Sequence, residues 1–224
     1  IYPPEGYWVE VQKILIENDI LLLADEVMTG FGRTGFKFSC EDYEIKPDIM
    51  IAGKGMSSGY AAISGTYSTD KIANSIMDAG YLVMFHTFAA LPLSCAAAST
   101  VLGIMRREKL CEKVAPLGER LKQKLTDALD HHPLVAEIRG KGLLIGIEIV
   151  KDKEKLISFD EQERITDQII SKGLEEGVLL YPGGTGEYRD IVCLGPPYII
   201  GEEEIDLIVD TLVKVLNYIL VKYN

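Results

Sequence analysis

Several features that would place a protein outside the ordinary globular class are missing from this sequence. Its 224 residues are 47% hydrophobic and 25% charged, a balance that excludes a disordered or collagen-like chain. Long apolar runs are also missing. The cleanest ones, at 20–24 and 178–181, fall far below the roughly 18 residues that a membrane-spanning helix requires. We therefore expect a soluble protein with no membrane partner.

Clusters of basic residues are missing as well. The chain has 23 Lys and Arg against 34 Asp and Glu, which gives a formal net charge of −11. A surface with this charge repels a phosphate backbone unless Lys and Arg residues gather in one place, and the sequence contains no such block. We expect no nucleic-acid partner.

Cysteine is sparse and scattered. The four cysteines, Cys40, Cys95, Cys111 and Cys193, form no C-x-x-C pair. Spacing of this kind is not typical of a zinc site or of a disulfide framework, and it suits reduced thiols. We expect no bound metal and a cytoplasmic location.

The beginning of the chain has no targeting signal. It opens at Ile1 with neither a methionine nor a basic stretch followed by an apolar one. We expect the sequence to begin within a fold.

The first part of the chain alternates short apolar strands with helices. A helix is predicted over 7–18, and buried strands are predicted at 20–24, 48–52 and 61–67. Glycine-rich loops follow two of these strands, at 29–35 and 53–55. The pattern favours an α/β fold built on a mostly parallel sheet.

The second part of the chain has a different pattern. A long helical stretch after Pro92 is predicted to break near Glu108 and to end at 131–133. A strand interrupted by glycines follows at 135–150, then a helix over 161–176 capped by Ser158 or Asp160, a strand at 178–181 and a last helix at about 202–221. We predict a large domain over 1–104 and a smaller α+β domain over 105–224.

Two charged residues follow predicted strands inside the glycine-rich loops. Ligands of open parallel sheets bind beyond the carboxyl ends of the strands, so Asp25 and Lys54 are expected to face one crevice. A lysine in such a place can form a Schiff base with an aldehyde cofactor, and an aspartate on the same rim can keep a pyridine nitrogen protonated. Taken singly, each residue would more often be a helix cap or a solvated charge.

These residues belong to a series of sequence blocks: LLADEVMTGFGRTG at 22–35, KPDI at 46–49, GKG at 53–55, HTF at 86–88, CAAA at 95–98 and RGKGL at 139–143. The blocks resemble a known family, the class III or ω-type pyridoxal-phosphate (PLP) aminotransferases of fold type I. The resemblance extends over essentially the whole chain and implies PLP as the cofactor.

The resemblance implies a role for several individual residues. Lys54 would be the catalytic Schiff-base lysine, which also moves the proton at the substrate carbon. Asp25 would bind the pyridinium nitrogen, and Val27 would pack on one face of the ring. Thr87 would donate to the phosphate of the cofactor in a partner subunit, which implies a homodimer with shared sites. Glu26, on the opposite side of an extended segment, is as readily structural.

The sequence departs from the family at two positions. Met28 stands where many relatives have a glutamine that touches the ring hydroxyl of the cofactor, and a thioether cannot donate as an amide does. Cys193 stands where ornithine- and GABA-type members have an arginine that binds a substrate carboxylate. Arg189 is the candidate that could take the place of that arginine.

A larger departure concerns the first half of the family fold. Its glycine- and serine-rich phosphate loop, and the aromatic residue that stacks on the second face of the ring, have no counterpart in this chain. We therefore interpret the chain as the C-terminal half of an aminotransferase that moves an amino group between an amine or ω-amino acid and a keto acid. Two alternatives stay open: an aminomutase or decarboxylating dialkylglycine-type enzyme, and a non-catalytic truncated fragment.

Overall fold

The chain folds as two compact units, Ile1–Lys113 and Val114–Asn224. The computed structural model describes residues 3–82, 86–184, 186 and 189–223. The expected division into a large and a small domain at residue 104 concerns the fold of the whole family, and it stays a prediction.

The first unit places a small sheet among helices. Its elements in chain order are α1 (Tyr7–Glu17), β1 (Leu23–Asp25), α2 (Ser39–Asp42), β2 (Ile49–Ala52), a 3-10 turn (Lys54–Met56), β3 (Gly65–Ser68), α3 (Asp70–Asp78) and α4 (Pro92–Arg107). A further helix, α5 (Leu110–Leu129), begins in this unit and continues in the next. The predicted break near Glu108 is confirmed, because α4 ends at Arg107 and Lys109 takes a φ of 52°.

The sheet of the first unit has the order β1-β2-β3. β1 and β2 are parallel, as predicted, with Asp25 opposite Ile51. The strand predicted at 61–67 begins only at Gly65, and it runs antiparallel to β2. A parallel crossover needs a connection long enough for a helix, and residues 53–64 contain only the short turn Lys54–Met56, so the chain returns beside β2 in the opposite direction.

Few apolar side chains of the first unit are fully buried. Its core is a small cluster of Phe31, Ala52, Met56 and Ala98. Every residue of α1 keeps some exposure, and Ile16 and Leu23 are 73% and 51% exposed. This unit therefore leaves apolar surface on α1 and β1 in contact with solvent.

The second unit wraps helices around an antiparallel sheet. Its elements are the remainder of α5, β4 (Val135–Lys141), β5 (Leu144–Ile149), a 3-10 turn (Glu161–Glu163), α6 (Ile165–Glu175), β6 (Tyr181–Gly183), β7 (Ile191–Leu194) and α7 (Glu202–Tyr223). The sheet order is β4-β5-β7-β6. Its core is large and contains fully buried side chains from α5, β5, α6 and α7, among them Leu121, Leu125, Ile147, Ile169, Leu212 and Leu216.

Three predicted elements of this unit differ from the structure. The interrupted strand 135–150 is a hairpin of β4 and β5, because Gly140 at φ 150° and Gly142 at φ 54° turn the chain back. The helix predicted over 161–176 begins as a 3-10 turn, which Asp160 caps through a capping box, and α6 starts after Arg164 at φ 46°. The strand predicted at 178–181 lies at Tyr181–Gly183.

α5 approaches the β4–β5 hairpin very closely at Gly118. A Cβ atom on this residue would lie 2.1 Å from the carbonyl oxygen of Gly142, which is backbone and cannot rotate away. Glycine inside a helix costs about 1 kcal/mol relative to alanine. At this position the close approach to the hairpin requires it nonetheless.

We expect Gly118→Ala to destabilise the protein by about 1–3 kcal/mol, as overpacked positions do, although alanine favours helices. Gly103 is the matched comparison, because it lies in α4 and a Cβ there would meet nothing within 4 Å. Gly103→Ala should therefore stabilise by about 0.5–1 kcal/mol. Urea unfolding followed by circular dichroism measures both changes, and a stabilised Gly118→Ala variant would contradict the close packing of α5 on the hairpin.

Candidate active site

Two charged side chains stand at one edge of the first sheet. β1 and β2 are parallel neighbours, so their carboxyl ends meet at the same edge. Asp25 is the last residue of β1, and Lys54 follows β2 after Gly53. Both side chains are exposed there. The tertiary structure thus places at one edge of the sheet the two residues that were expected to face one crevice.

The turn that follows β1 brings two more predicted residues to this edge. The Oδ1 atom of Asp25 accepts a hydrogen bond of 2.9 Å from the backbone N–H of Val27, which is an Asx-type turn. The ε-amino group of Lys54 contacts the thioether sulfur of Met28. Asp25, Val27, Met28 and Lys54 therefore form one group, which we call the lysine cluster.

The backbone of Lys54 is in an uncommon conformation. Its φ is 39°, in the left-handed region that side chains other than glycine rarely adopt. The neighbouring loop leaves little freedom, because a Cβ on Gly55 would lie 3.1 Å from the Cβ of Phe31. Strained residues of this kind concentrate at functional sites, where the surroundings hold them in place.

A buried carboxylate, that of Glu26, lies between Asp25 and Val27 of the lysine cluster. Glu26 is 3% exposed, and its Oε2 and Oε1 atoms accept hydrogen bonds from the Thr29 hydroxyl at 2.5 Å and from the Cys40 backbone N–H at 2.7 Å. The sequence left the role of this residue open between the site and the fold. The structure shows which groups it binds, and those partners lie in the glycine-rich loop and at the start of α2.

The same carboxylate affects the pKa of the Cys40 thiol. Burial raises the pKa of Cys40 to about 11, and the charge and hydrogen bond of Glu26 act in the same direction. Thiolates, not thiols, are the reactive species, so this side chain is protected from alkylation near neutral pH. The sequence carried no signal for this link.

The remaining predicted site residues belong to other elements of the chain. Thr87 is exposed in the turn that precedes α4, where the N–H of Ala89 bonds the carbonyl of His86 at 2.9 Å. Arg189 belongs to the second unit, and its guanidinium donates to the carbonyl oxygen of Phe159 at 2.9 Å. Their expected roles, at a cofactor phosphate and a substrate carboxylate, stay predictions.

Comparison with known proteins identifies the family. The model of the family described as aminotransferase class-III matches residues 1–216. The chain belongs to the class III aminotransferases. The sequence resemblance and the expected fold class are thereby confirmed, and the lysine cluster contains residues of the blocks that carried the resemblance.

Two curated relatives illustrate the similarity. An uncharacterised aminotransferase of Schizosaccharomyces pombe is 39% identical over 220 residues, which cover 96% of this chain and 48% of the relative. The adenosylmethionine-8-amino-7-oxononanoate aminotransferase of Aquifex aeolicus is 36% identical over 215 residues, which cover 93% and 46%. This class III chain therefore spans about half the length of the curated relatives it matches.

A solved structure shows the same relation. The thermostable (S)-enantioselective omega-transaminase of Thermomicrobium roseum superposes with a TM-score of 0.90 at 33% identity, over 98% of this chain and 48% of that one. The fold of the class III aminotransferases is thus shared across the described residues.

Two kinds of feature are absent from the described residues. None of the helices in residues 3–82, 86–184 and 189–223 is long and apolar enough to cross a membrane. Within the same described part of the chain, the His, Cys, Asp and Glu side chains form no group of three that could hold a metal ion.

We expect Cys40 to react with iodoacetamide at least tenfold more slowly than the exposed Cys95 at pH 8, because a thiol with a pKa of about 11 is about 0.1% thiolate at that pH. Its rate should rise about tenfold for each pH unit up to 11. Mass spectrometry of alkylated peptides measures both rates, and denaturation in urea serves as the control that removes the difference. Equal rates in the native protein would show that the thiol is not buried against Glu26.

Proposed function

We propose that this chain carries the lysine-bearing half of a PLP-dependent aminotransferase site, and that the whole enzyme moves an amino group between an amine or ω-amino acid and a keto acid. The observation that carries the proposal is the position of Lys54 and Asp25 at the carboxyl ends of two adjacent parallel strands. Membership of the class III family supports it.

The side chains of the lysine cluster carry the chemical groups that suit PLP. An exposed amine suits the aldehyde of the cofactor, and an exposed carboxylate at the same edge suits a pyridinium nitrogen. Once bound, PLP supplies an electron sink for the negative charge left on carbon when a proton departs. Glycine at 53 and 55 lets the loop that carries the lysine pack closely on Ser64 and Phe31.

Lys54 has two tasks in this proposal. Its Nζ atom would hold the aldehyde group of the cofactor, and as a free amine it would accept and return the proton at the carbon that carries the amino group. The strained φ of 39° fixes the start of the lysine arm, so that the amine approaches from one side. Contact with the uncharged Met28 sulfur holds the arm without adding a charge.

Asp25 and Val27 hold the ring in the same proposal. The Asp25 carboxylate would accept a hydrogen bond from the pyridinium nitrogen and keep it protonated, which would strengthen the electron sink. The bond from the Val27 N–H to Oδ1 of Asp25 orients that carboxylate. Val27, which is half-buried, would pack on one face of the ring.

Met28, Arg189 and Thr87 define the parts of the site that differ from its relatives or depend on a partner. Met28 leaves the ring hydroxyl without an amide donor. Arg189 is the proposed partner of a substrate carboxylate. Cys193, which stands at the position of the family arginine, lies on β7 between β5 and β6, and a thiol cannot bind a carboxylate at two points. Thr87 would bind the phosphate in a second copy, which would make the enzyme a homodimer, and four reduced cysteines would suit a cytoplasmic location.

We expect Lys54→Ala to abolish the visible absorption band that appears when the chain is mixed with PLP and freed of excess, while the far-ultraviolet circular dichroism stays unchanged. Lys46→Ala, at another exposed lysine of the same unit, is the control and should retain the band. Borohydride reduction followed by peptide mass spectrometry locates the modified lysine. A cofactor adduct at the same site in Lys54→Ala would refute the assignment.

We expect Asp25→Asn to weaken PLP binding by about 10–100-fold, because a hydrogen bond between charged groups contributes about 1.5–3 kcal/mol. Turnover with any accepted donor should fall further, since a neutral partner no longer keeps the ring nitrogen protonated. Equilibrium titration followed by absorbance measures the affinity, with the exposed Asp70 as control in Asp70→Asn. Unchanged affinity in Asp25→Asn would remove this residue from the cofactor site.

A further inference from the structure

The proposed function assigns roles to Asp25, Val27 and Met28. It assigns none to Glu26, which lies between them in the sequence. This residue lies between the proposed partner of the ring nitrogen and the proposed partner of the ring face, yet it is only 3% exposed. A buried carboxylate is costly unless its oxygens are hydrogen-bonded. Its partners therefore indicate why it is there.

Four hydrogen bonds tie Glu26 to separate parts of the first unit. Its side chain accepts from the Thr29 hydroxyl at 2.5 Å and from the Cys40 N–H at 2.7 Å. Its own N–H donates to the Ile51 carbonyl at 2.8 Å, and its carbonyl accepts from the Gly30 N–H at 2.9 Å. The residue thus connects β2, the glycine-rich loop and the start of α2.

The turn from Glu26 to Gly30 is closely packed. A Cβ atom on Gly30 would lie 2.7 Å from the Glu26 carbonyl oxygen and 3.1 Å from the ring of Phe38. Since the peptide units on either side of Glu26 belong to Asp25 and Val27, a displacement of Glu26 must move both of them.

The chemistry of this position calls for a carboxylate. Both side-chain oxygens face donors, the Thr29 hydroxyl and the Cys40 N–H. A glutamine could accept from the Cys40 N–H with its oxygen and donate its NH₂ group to the Thr29 hydroxyl, which would then be the acceptor. It would lack the negative charge, and hydrogen bonds to a charged group contribute more than neutral ones.

We propose that Glu26 is the positioning residue of this site, whose carboxylate fixes the turn from Glu26 to Gly30 and thereby orients Asp25 and Val27 toward the cofactor. The proposal rests on the proposed function. Glu26 touches neither cofactor nor substrate in it, and it acts through Asp25.

The test compares Glu26→Gln with the wild-type chain in three measurements. Circular dichroism should show an unchanged fold, and alkylation of Cys40 in the absence of PLP should become several-fold faster at pH 8, because the charge that helps to raise the pKa of this thiol is gone. The dissociation constant for PLP should rise about tenfold. Thr29→Val, which removes one donor and keeps the carboxylate, should raise the dissociation constant for PLP by less and should leave the Cys40 rate unchanged, because the charge remains.

A double-mutant cycle separates positioning from general destabilisation. If Glu26 acts through Asp25, then Glu26→Gln should weaken PLP binding less than twofold when Asp25 is already asparagine. Thr34→Val is the matched control, because this residue is 4% exposed in the same loop and its hydroxyl has no hydrogen-bond partner among the described residues. It should leave the affinity unchanged.

The outcomes distinguish the two proposals. A wild-type chain that takes up no PLP at Lys54 overturns the proposed function and this inference together. Normal uptake with unchanged affinity in both Glu26→Gln and Thr29→Val, or fully additive losses in the cycle, overturns the inference alone. If Glu26→Gln does not fold, the Thr29→Val affinity decides.

Discussion

The parallel pairing of β1 with β2 is the constraint on which the rest of the site depends. It places the ends of two distant chain segments at one sheet edge, with Asp25 opposite Ile51 and the Glu26 N–H bonded to the Ile51 carbonyl. A shift of one residue in this register would turn every side chain to the other face. Asp25 and Lys54 stand at the same edge of the sheet because of this pairing.

The two units bury apolar surface to different degrees. The second unit packs α5, α6 and α7 around its sheet with a full core, whereas the first buries four apolar side chains in its cluster and leaves α1 uncovered. Burial of apolar surface is the main favourable contribution to folding, so the second unit holds most of the packing stability in this chain. The first unit carries the lysine cluster, where we propose that the chemistry takes place.

The first unit has only a small core, and the closely packed backbone around the lysine cluster keeps that cluster ordered. The strained φ of Lys54, the tight packing of Gly55 on Phe31 and the closed turn at Gly30 each remove freedom near the reacting amine. Preorganised groups lose less entropy when a ligand binds. An exposed pair of charges can thus keep a defined geometry on a loop.

The sequence by itself determined the family, the parallel strand pair, the placing of Asp25 and Lys54 at the ends of these strands and the break between α4 and α5, because these depend on local motifs and on periodicity along the chain. Only the tertiary structure decided the reversed direction of β3, the place of β6, the conformation of Lys54 and the partners of Glu26. Each of these depends on contacts between segments far apart in sequence, such as the bond from Cys40 to Glu26. Local residue preferences carry no record of such contacts, since packing and closed hydrogen bonds form only when the distant segments meet.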